Sequence, residues 1–449
     1  MSDLLSIGKS AVNAYSTALA AISENVANAS TAGYTRRSVT ISQVGAGATG
    51  LSSSTTASFN GSTVTGVTRA WNDYQAQTTR TAMGDAGRAD ARLTWLTNAQ
   101  SAMDDGTTGV GQSATAFFNA ASTLASNPTS TTDRAAMLSA LNQTTSALNT
   151  TATALASTSQ GIATAAQTTV QSVNNDLDSL AKINASLQST RPGTSAQADL
   201  EDQRDNLLNE ISGNIGIDVT IRQDGSATVS LAQGGIQLVA GNGAAAGSAR
   251  LTVSNAANGA LSVQAVSGGT AQAVGDAGGE LGGMVESAGI VADKRTSLDT
   301  LATNFITAVN TFQAAGTDSA GTAGQPLLSG TGAADIAVTT TDPTKIAAAS
   351  SAGANGNLLT LTSLRGSDGI ETQWTGMVTD QGQLVSSATS ENSAASARSD
   401  AATSTQDTAS GVDLDTEAAE LVRYQQMYSG AAKVIQVAQA TMQSILDLF

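Results

Sequence analysis

Residues 414–449 read LDTEAAELVRYQQMYSGAAKVIQVAQATMQSILDLF, and apolar side chains recur there every seven positions, at Leu414, Leu421, Tyr428, Ile435, Met442 and Phe449. A second set, Tyr424, Ala431, Ala438 and Ile445, lies three residues after the members of the first. These are a and d positions held over five heptads, the mark of a helix that lays one stripe against another helix. The N-terminus repeats the pattern with Leu5, Val12, Leu19 and Val26, joined by Tyr15, Ile22 and Ala29. Each end therefore reads as half of a coiled coil. Many d-type positions are Ala, which lets helices approach closely but buries little area, and at ~25 cal/mol per Å² such seams are weak unless many stack.

Composition narrows the chemistry available to the rest of the 449 residues. There is no Cys and no His, so disulfides, thiolate nucleophiles, Cys/His metal sites and histidine relays are excluded. The apolar fraction is 40% but only 14 residues are aromatic, so the core must come mainly from Ala, Leu, Val and Ile. Charged residues make up 12%, against a usual ~25%, and sum to a net charge of −16 with only five lysines. A nucleic-acid surface needs clustered Lys and Arg and is not expected. Four prolines leave long stretches free of helix breakers. The N-terminus carries Asp3, Lys9 and Ser10 where a secretory peptide needs a continuous apolar run, and no stretch reaches 18 apolar residues. Neither a cleaved signal peptide nor membrane insertion is expected.

Between the ends, the periodicity predicts helices over about 71–103, 133–188, 196–211, 281–313 and 370–404. The second of these carries Leu141, Leu148, Leu155 and Ile162 at heptad spacing, then a shifted stripe of Val173, Leu180 and Leu187. From Ile217 to Val266 the period changes to two, with Asp224-Gly225 and Gly234-Gly235 as turns, which predicts β hairpins. Residues 316–370, rich in Gly, Thr and Ala, read as loops with short helical or extended pieces. The fold class expected is mainly α with an inserted small β domain, nested and elongated. Its parts are paired N- and C-terminal coiled-coil helices, a central long-helix bundle and distal β hairpins. The domains expected are 1–40 with 410–449, 41–215 with 284–409, and the inserted 216–283.

Catalytic, metal and cofactor motifs fail on inspection. Gly8-Lys9-Ser10 matches the end of a phosphate loop, but Asp3 stands where its first Gly is required and no strand can precede it. Asp413, Asp415 and Glu417 resemble the start of a calcium loop, yet Ala418 and Tyr424 occupy its two most restrictive positions. Asp413 reads instead as a helix N-cap, with Asp415 and Glu417 favoured by the helix dipole. Glu201, Asp202, Arg204 and Asp205 read as a solvated or salt-bridged helix face rather than an acid/base pair. Trp95 reads as helix packing, and Trp71 with Tyr74 as the junction between an extended segment and a helix. No catalytic residue, cofactor or metal is expected, and the chain does not read as an enzyme.

Two stretches carry a family resemblance. Residues 23–36, SENVANASTAGYTR, resemble the N-terminal signature of bacterial flagellar rod, hook and hook-associated proteins, through Asn25, Asn28, Gly33, Tyr34 and Arg36. Gly411-Val412-Asp413-Leu414-Asp415, Leu421 to Tyr428 and Ala432 to Gln436 resemble the matching C-terminal end. Within that family, three internal features are similar to the junction members that link hook to filament. They are Val67-Thr68-Arg69 leading to Tyr74, Asp202-Gln203-Arg204-Asp205 followed by Leu207-Leu208, and Gly279-Glu280-Leu281-Gly282-Gly283. The resemblance implies type III flagellar export without a cleaved peptide and an extracellular place at the hook–filament junction. It implies a homo-oligomeric ring between the hook protein and a second hook-associated junction protein. It also implies an inner tube built from the terminal heptad helices, and an export chaperone bound at Leu414 to Phe449. Many such proteins carry a second large β insertion, for which residues 316–370 are too short. The alternatives are another axial protein, such as hook protein or the second junction protein, and a coiled-coil adhesin, which would need an anchor.

Overall fold

The computed structural model describes residues 2–44, 61–241, 249–367 and 369–447. In chain order, α1 (Ser2–Asn28) is followed by β1 (Arg37–Gln43), β2 (Ser62–Arg69), α2 (Asp73–Ala102), α3 (Val110–Ser126), α4 (Thr131–Ser189) and α5 (Ser195–Asn214). Six strands follow: β3 (Ile217–Ile221), β4 (Ala227–Leu231), β5 (Gln237–Val239), β6 (Arg250–Asn255), β7 (Leu261–Ser267) and β8 (Thr270–Val274). The chain then forms α6 (Gly279–Ala314), an irregular segment, α7 (Ile370–Ser410) and α8 (Leu414–Leu446). The fold is mainly α, and the β segment comprises two three-stranded sheets, β3-β4-β5 and β6-β7-β8. The chain divides into two compact units, residues 1–83, 174–250 and 397–449 in the first and 84–173 and 251–396 in the second. Residues 216–283 are shared between them.

In the first unit α1 and α8 run antiparallel. Gly8 abuts Ile435, the Tyr15 and Tyr424 rings lie 6.3 Å apart, and Asn25 reaches Glu417. The buried positions are Gly8, Ala14, Ala18, Ala21, Ile22 and Asn25 of α1, which packs on β1 and β2 as well as on α8, and Glu417, Ala431 and Ala438 of α8. Close approach selects small side chains: a Cβ at Gly8 would stand 2.7 Å from the Ile435 Cγ1. The N-terminal heptad stripe is divided, with Ile22 buried and Tyr15 against Tyr424, Leu5, Val12 and Leu19 half-buried and Val26 exposed. Phe449 lies outside the described residues. Asp413 caps α8, accepting from the Asp415 amide and the Thr416 hydroxyl. The sheet β3-β4-β5 alternates as expected, with Ala227, Val229 and Leu231 buried. Asn184 of α4 both donates to the Ala227 carbonyl and accepts from its amide, at 2.8 and 2.9 Å.

In the second unit, Leu141, Leu148, Leu155 and Ile162 of α4 are all buried, as the heptad spacing requires. Helix α3, which lies between the expected helices, supplies Phe117, packed edge-to-face on Phe305 of α6 at 5.8 Å. Helix α7 buries one position per heptad, Trp374, Gln381, Ala388 and Ala395. Residues 315–369 contain two 3₁₀ turns and a two-residue strand pair, and buried amide side chains hold their backbone. Asn310 accepts from the amides of Leu327 and Leu328, Gln313 bridges Lys345 and Ala347, and Asn357 donates to Phe312 and Ala347. Loops built this way need no apolar periodicity, and the segment is, as expected, loops with short helical and extended pieces. Leu148→Ala should cost about 2–5 kcal/mol in urea unfolding, because its site is fully closed. Exposed Thr150→Ala should stay within about 0.5 kcal/mol.

Candidate assembly site

Asn25 lies on the buried face of α1, fully excluded from solvent, and uses all of its hydrogen-bonding capacity. Its Nδ2 donates to the Arg37 carbonyl at 2.9 Å and to Glu417 Oε2 at 3.0 Å. Its Oδ1 accepts from the Arg37 amide and from the Tyr34 hydroxyl, each at 2.9 Å. One side chain thus ties α1 to the start of β1 and to the first turns of α8. Glu417, read from sequence as a partner of the helix dipole, is buried and turned toward Asn25. Asn28 closes the helix end, donating to the Glu24 carbonyl, and Arg36 donates its amide to the Ser410 carbonyl. Gly33 has φ +74°, and a Cβ there would collide with the Asn206 side chain, so the turn requires glycine.

The chain leaving this turn carries Arg37 into β1, opposite Arg69 of β2 in the hairpin register. Directly paired residues share a face, so both guanidiniums point to the same side of the hairpin. That side meets α5, whose Asp199, Asp202 and Asp205 are spaced three apart and so line one helix face. Arg37 contacts Asp199 at 2.6 Å, Asp202 at 3.1 Å and Glu24 at 3.4 Å. Arg69 contacts Asp205 at 2.8 Å, Asp202 at 2.9 Å and Glu201 at 3.2 Å, and lies over the Trp71 ring. Arg204 clasps Asp205 at 2.8 Å and also donates to the Gly225 carbonyl, while Arg80 of α2 approaches Asp205 at 3.4 Å.

Of the solvated or salt-bridged face expected for Glu201 to Asp205, the structure has the salt-bridged form, and most of it is buried. Arg204 is 2% exposed, Asp205 3% and Asp202 7%, while Glu201 stays at the edge. The reason is that the opposing arginines come from distant segments: Arg37, Arg69 and Arg80 complete a network that no local spacing reveals. Three acids at i, i+3 and i+6 on one helix were the available signal. Trp71 donates to Asp73 and stacks with Arg69 at the junction, whereas Tyr74 is exposed. Burial pushes the Tyr34 phenol up to about 12, against the opposing pull of Arg37. Burial depresses the Arg80 guanidinium, with Asp205 opposing the shift. At Arg69 burial acts in the same sense, but Asp205 and Asp202 outweigh it and hold the guanidinium above its ordinary value.

The helix pair leaves many large apolar side chains in solvent, interspersed with polar ones. Along α8, Leu414, Val422, Met427, Tyr428, Val434, Val437, Met442, Ile445 and Leu446 are exposed, with Val437 at 64%. Leu421, Tyr424 and Ile435 are half-buried against α1. Ser10, the last residue of the phosphate-loop look-alike, is within α1 and bonds the Ile7 carbonyl. Among the described residues there is no group of three or more His, Cys, Asp or Glu able to hold a metal ion, and no helix is long and apolar enough to cross a membrane.

The two terminal helices that meet at this latch each match a flagellar axial family. Residues 5–35 match the flagellar basal body rod protein family, and 407–448 match the C-terminal family of the flagellar basal body rod FlgEFG proteins. Residues 96–328, more than half of the chain, match the helical domain of flagellar hook-associated protein FlgK, and the chain belongs to that family. It is 26% identical to flagellar hook-associated protein 1 of Salmonella typhimurium over 52% of this chain and 42% of that protein. It is also 26% identical to the protein of the same name from Escherichia coli, over 73% of this chain and 60% of that protein. The matches thus span roughly half of these relatives' length. The flagellar hook junction protein FlgK from Burkholderia pseudomallei shares the fold over 57% of this chain and 46% of its own, with a TM-score of 0.51 and 24% identity.

Two outcomes follow from this geometry. Asp202→Ala leaves Arg37 and Arg69 without a shared buried carboxylate and should cost about 3–5 kcal/mol in urea unfolding. The raised Tyr34 phenol means that the folded state holds its proton more tightly than the unfolded state does. Its contribution is complete below the ordinary value of 10.0 and is lost as pH climbs toward about 12. The stability difference between wild type and Tyr34→Phe should therefore shrink through that alkaline window in chemical-denaturation titrations.

Proposed function

We propose that the chain is a structural subunit of the bacterial flagellum that forms the hook–filament junction as a homo-oligomeric ring. The observation that carries this reading is the α1/α8 pair, which closes on a seam of small side chains and leaves many large apolar side chains of α8 in solvent. An Ala-lined seam buries little area per helix, so the pair gains from neighbours that cover its outer face. Residues 1–40 with 410–449 form the layer that packs against adjoining subunits, through Leu5, Val12, Leu19 and Val26 and the α8 heptad positions. Residues 41–215 with 284–409 form the helical layer, and 216–283 face outward. The hook protein and a second junction protein are the axial neighbours, and an export chaperone holds α8 before assembly. Export follows the flagellar type III route to the cell exterior. The role is structural rather than catalytic.

A second reading, another axial component, is favoured by the terminal matches to rod-type families. Immunogold labelling of purified hook–basal bodies separates the two: a junction subunit marks one band at the distal hook, and a hook subunit coats the hook. A deletion strain should carry hooks without filaments and shed flagellin into the medium. Val437→Asp, at an exposed position, should leave monomer folding unchanged by circular dichroism while abolishing filament attachment. Normal motility in that variant contradicts the packing role of this face.

A further inference from the structure

The arginine network is unevenly compensated. Arg37 and Arg69 face Glu24, Asp199, Glu201 and Asp202 between them, with Arg69 also reaching Asp205. At the other end, Arg204 and Arg80 share Asp205 as their one ion-pair partner among the described residues, with the Gly225 carbonyl also on Arg204 and the Asp73 charge acting on Arg80 from further off. The Asp205 carboxylate is already taken: its Oδ2 accepts from Arg69 and Arg204, and its Oδ1 from two nitrogens of Arg204 at 3.0 and 2.9 Å. Arg80 is left with one long contact, 3.4 Å from Nη2 to Oδ1, although its side chain is 4% exposed. Its Nε is buried with no hydrogen-bond partner. A buried guanidinium with one weak contact is costly unless an anion joins it.

Arg80 lines a groove of about 470 Å³ whose other walls are Asp73, Gln77 and Asp218 to Ile221. We propose that this groove binds a carboxylate group, with the Arg80 guanidinium as its anchor and the Gln77 amide beside it. The two rim carboxylates select the ligand further. Asp73 is turned to the Trp71 indole, and the Asp218 carboxylate is exposed with no partner among the described residues. Their charge repels a dianion such as phosphate and favours a singly charged carboxylate, above all one flanked by basic groups. Such a group comes either from an Asp or Glu side chain of an adjoining chain or from a free carboxylate. The site stands on Arg80 alone and does not depend on the junction reading.

The test is an NMR titration of the full chain with sodium acetate and with inorganic phosphate, each balanced by chloride at constant ionic strength, reading the backbone amides of Gln77 and Thr220. Acetate should give saturable shifts, at least about tenfold weaker in affinity in Arg80→Gln. Phosphate should bind more weakly than acetate, and Asp73→Asn with Asp218→Asn should narrow that gap. Arg80→Lys keeps the charge without the two-pronged geometry and should bind acetate with intermediate affinity, which serves if Arg80→Gln does not fold. If an adjoining chain supplies the carboxylate, Arg80→Lys also lowers incorporation into hook preparations. If a free carboxylate does, incorporation is normal and only the acetate response falls. Acetate shifts no larger than those of chloride, or equal in wild type and both Arg80 variants, overturn the site.

Discussion

A single buried amide sets the geometry of the terminal unit. Asn25 has two donors and two acceptor positions, and the fold supplies a partner for each of them. Two of those partners are the amide and carbonyl of Arg37, so the bonds fix where β1 begins, and hence where the Arg37 guanidinium points. A third is Tyr34 in the turn that Gly33 permits, and the fourth is Glu417 across the helix pair. Burying a carboxamide this deeply is tolerable only when all four bonds form at once. The latch therefore couples the register of α1 on α8 to the placement of the hairpin.

From that anchor the arginine network spreads the constraint to α5 and to the start of α2. Arg37 and Arg69 lie opposite each other in the hairpin, and Asp202 sits between them at 3.1 and 2.9 Å. Buried ion pairs add little net stability against an apolar core, but breaking one is expensive. Such a cluster specifies one arrangement and penalises others. The helix pair shows the opposite economy, a seam of Ala and Gly with large apolar residues turned outward. Specificity is internal to the latch, and the remaining apolar area is left for contact with other chains.

Much of this was legible in the sequence, for physical reasons. Period-seven spacing in α4 and alternation in β4 follow from burial of one face, so the long helices and the hairpins were readable. The Asp413 cap follows from an acid directly before an apolar repeat. Helix α3 was missed although Val110, Ala114, Phe117, Phe118, Ala121 and Leu124 form an apolar stripe at helical spacing, and 316–370 was legible only as loops with short helical or extended pieces. Helix α3 and the loops of 315–369 are held by Phe117 and by amide side chains bonded to distant backbone. In α1 the spacing marks Tyr15 and Ile22, which meet Tyr424 or are buried, but not the small residues Gly8, Ala14, Ala18 and Ala21 buried beside them, because hydrophobic size does not report close helix approach. The site was legible only in part: Asn25, Tyr34, Asp202, Arg204 and Asp205 entered through a family motif. Arg80 and the role of Glu417 depend on contacts between residues 125 and 392 positions apart and could not be read from spacing.

Hydrogen–deuterium exchange on the Asn25→Asp variant tests the latch most directly, since the substitution keeps the shape of the side chain while removing both donors and facing a carboxylate to Glu417. Amides of α1 from 8 to 26 and of α8 from 417 to 438 should lose protection together, with those of 141–162 in α4 unchanged. Unchanged protection in both terminal helices, or loss confined to one of them, contradicts the account.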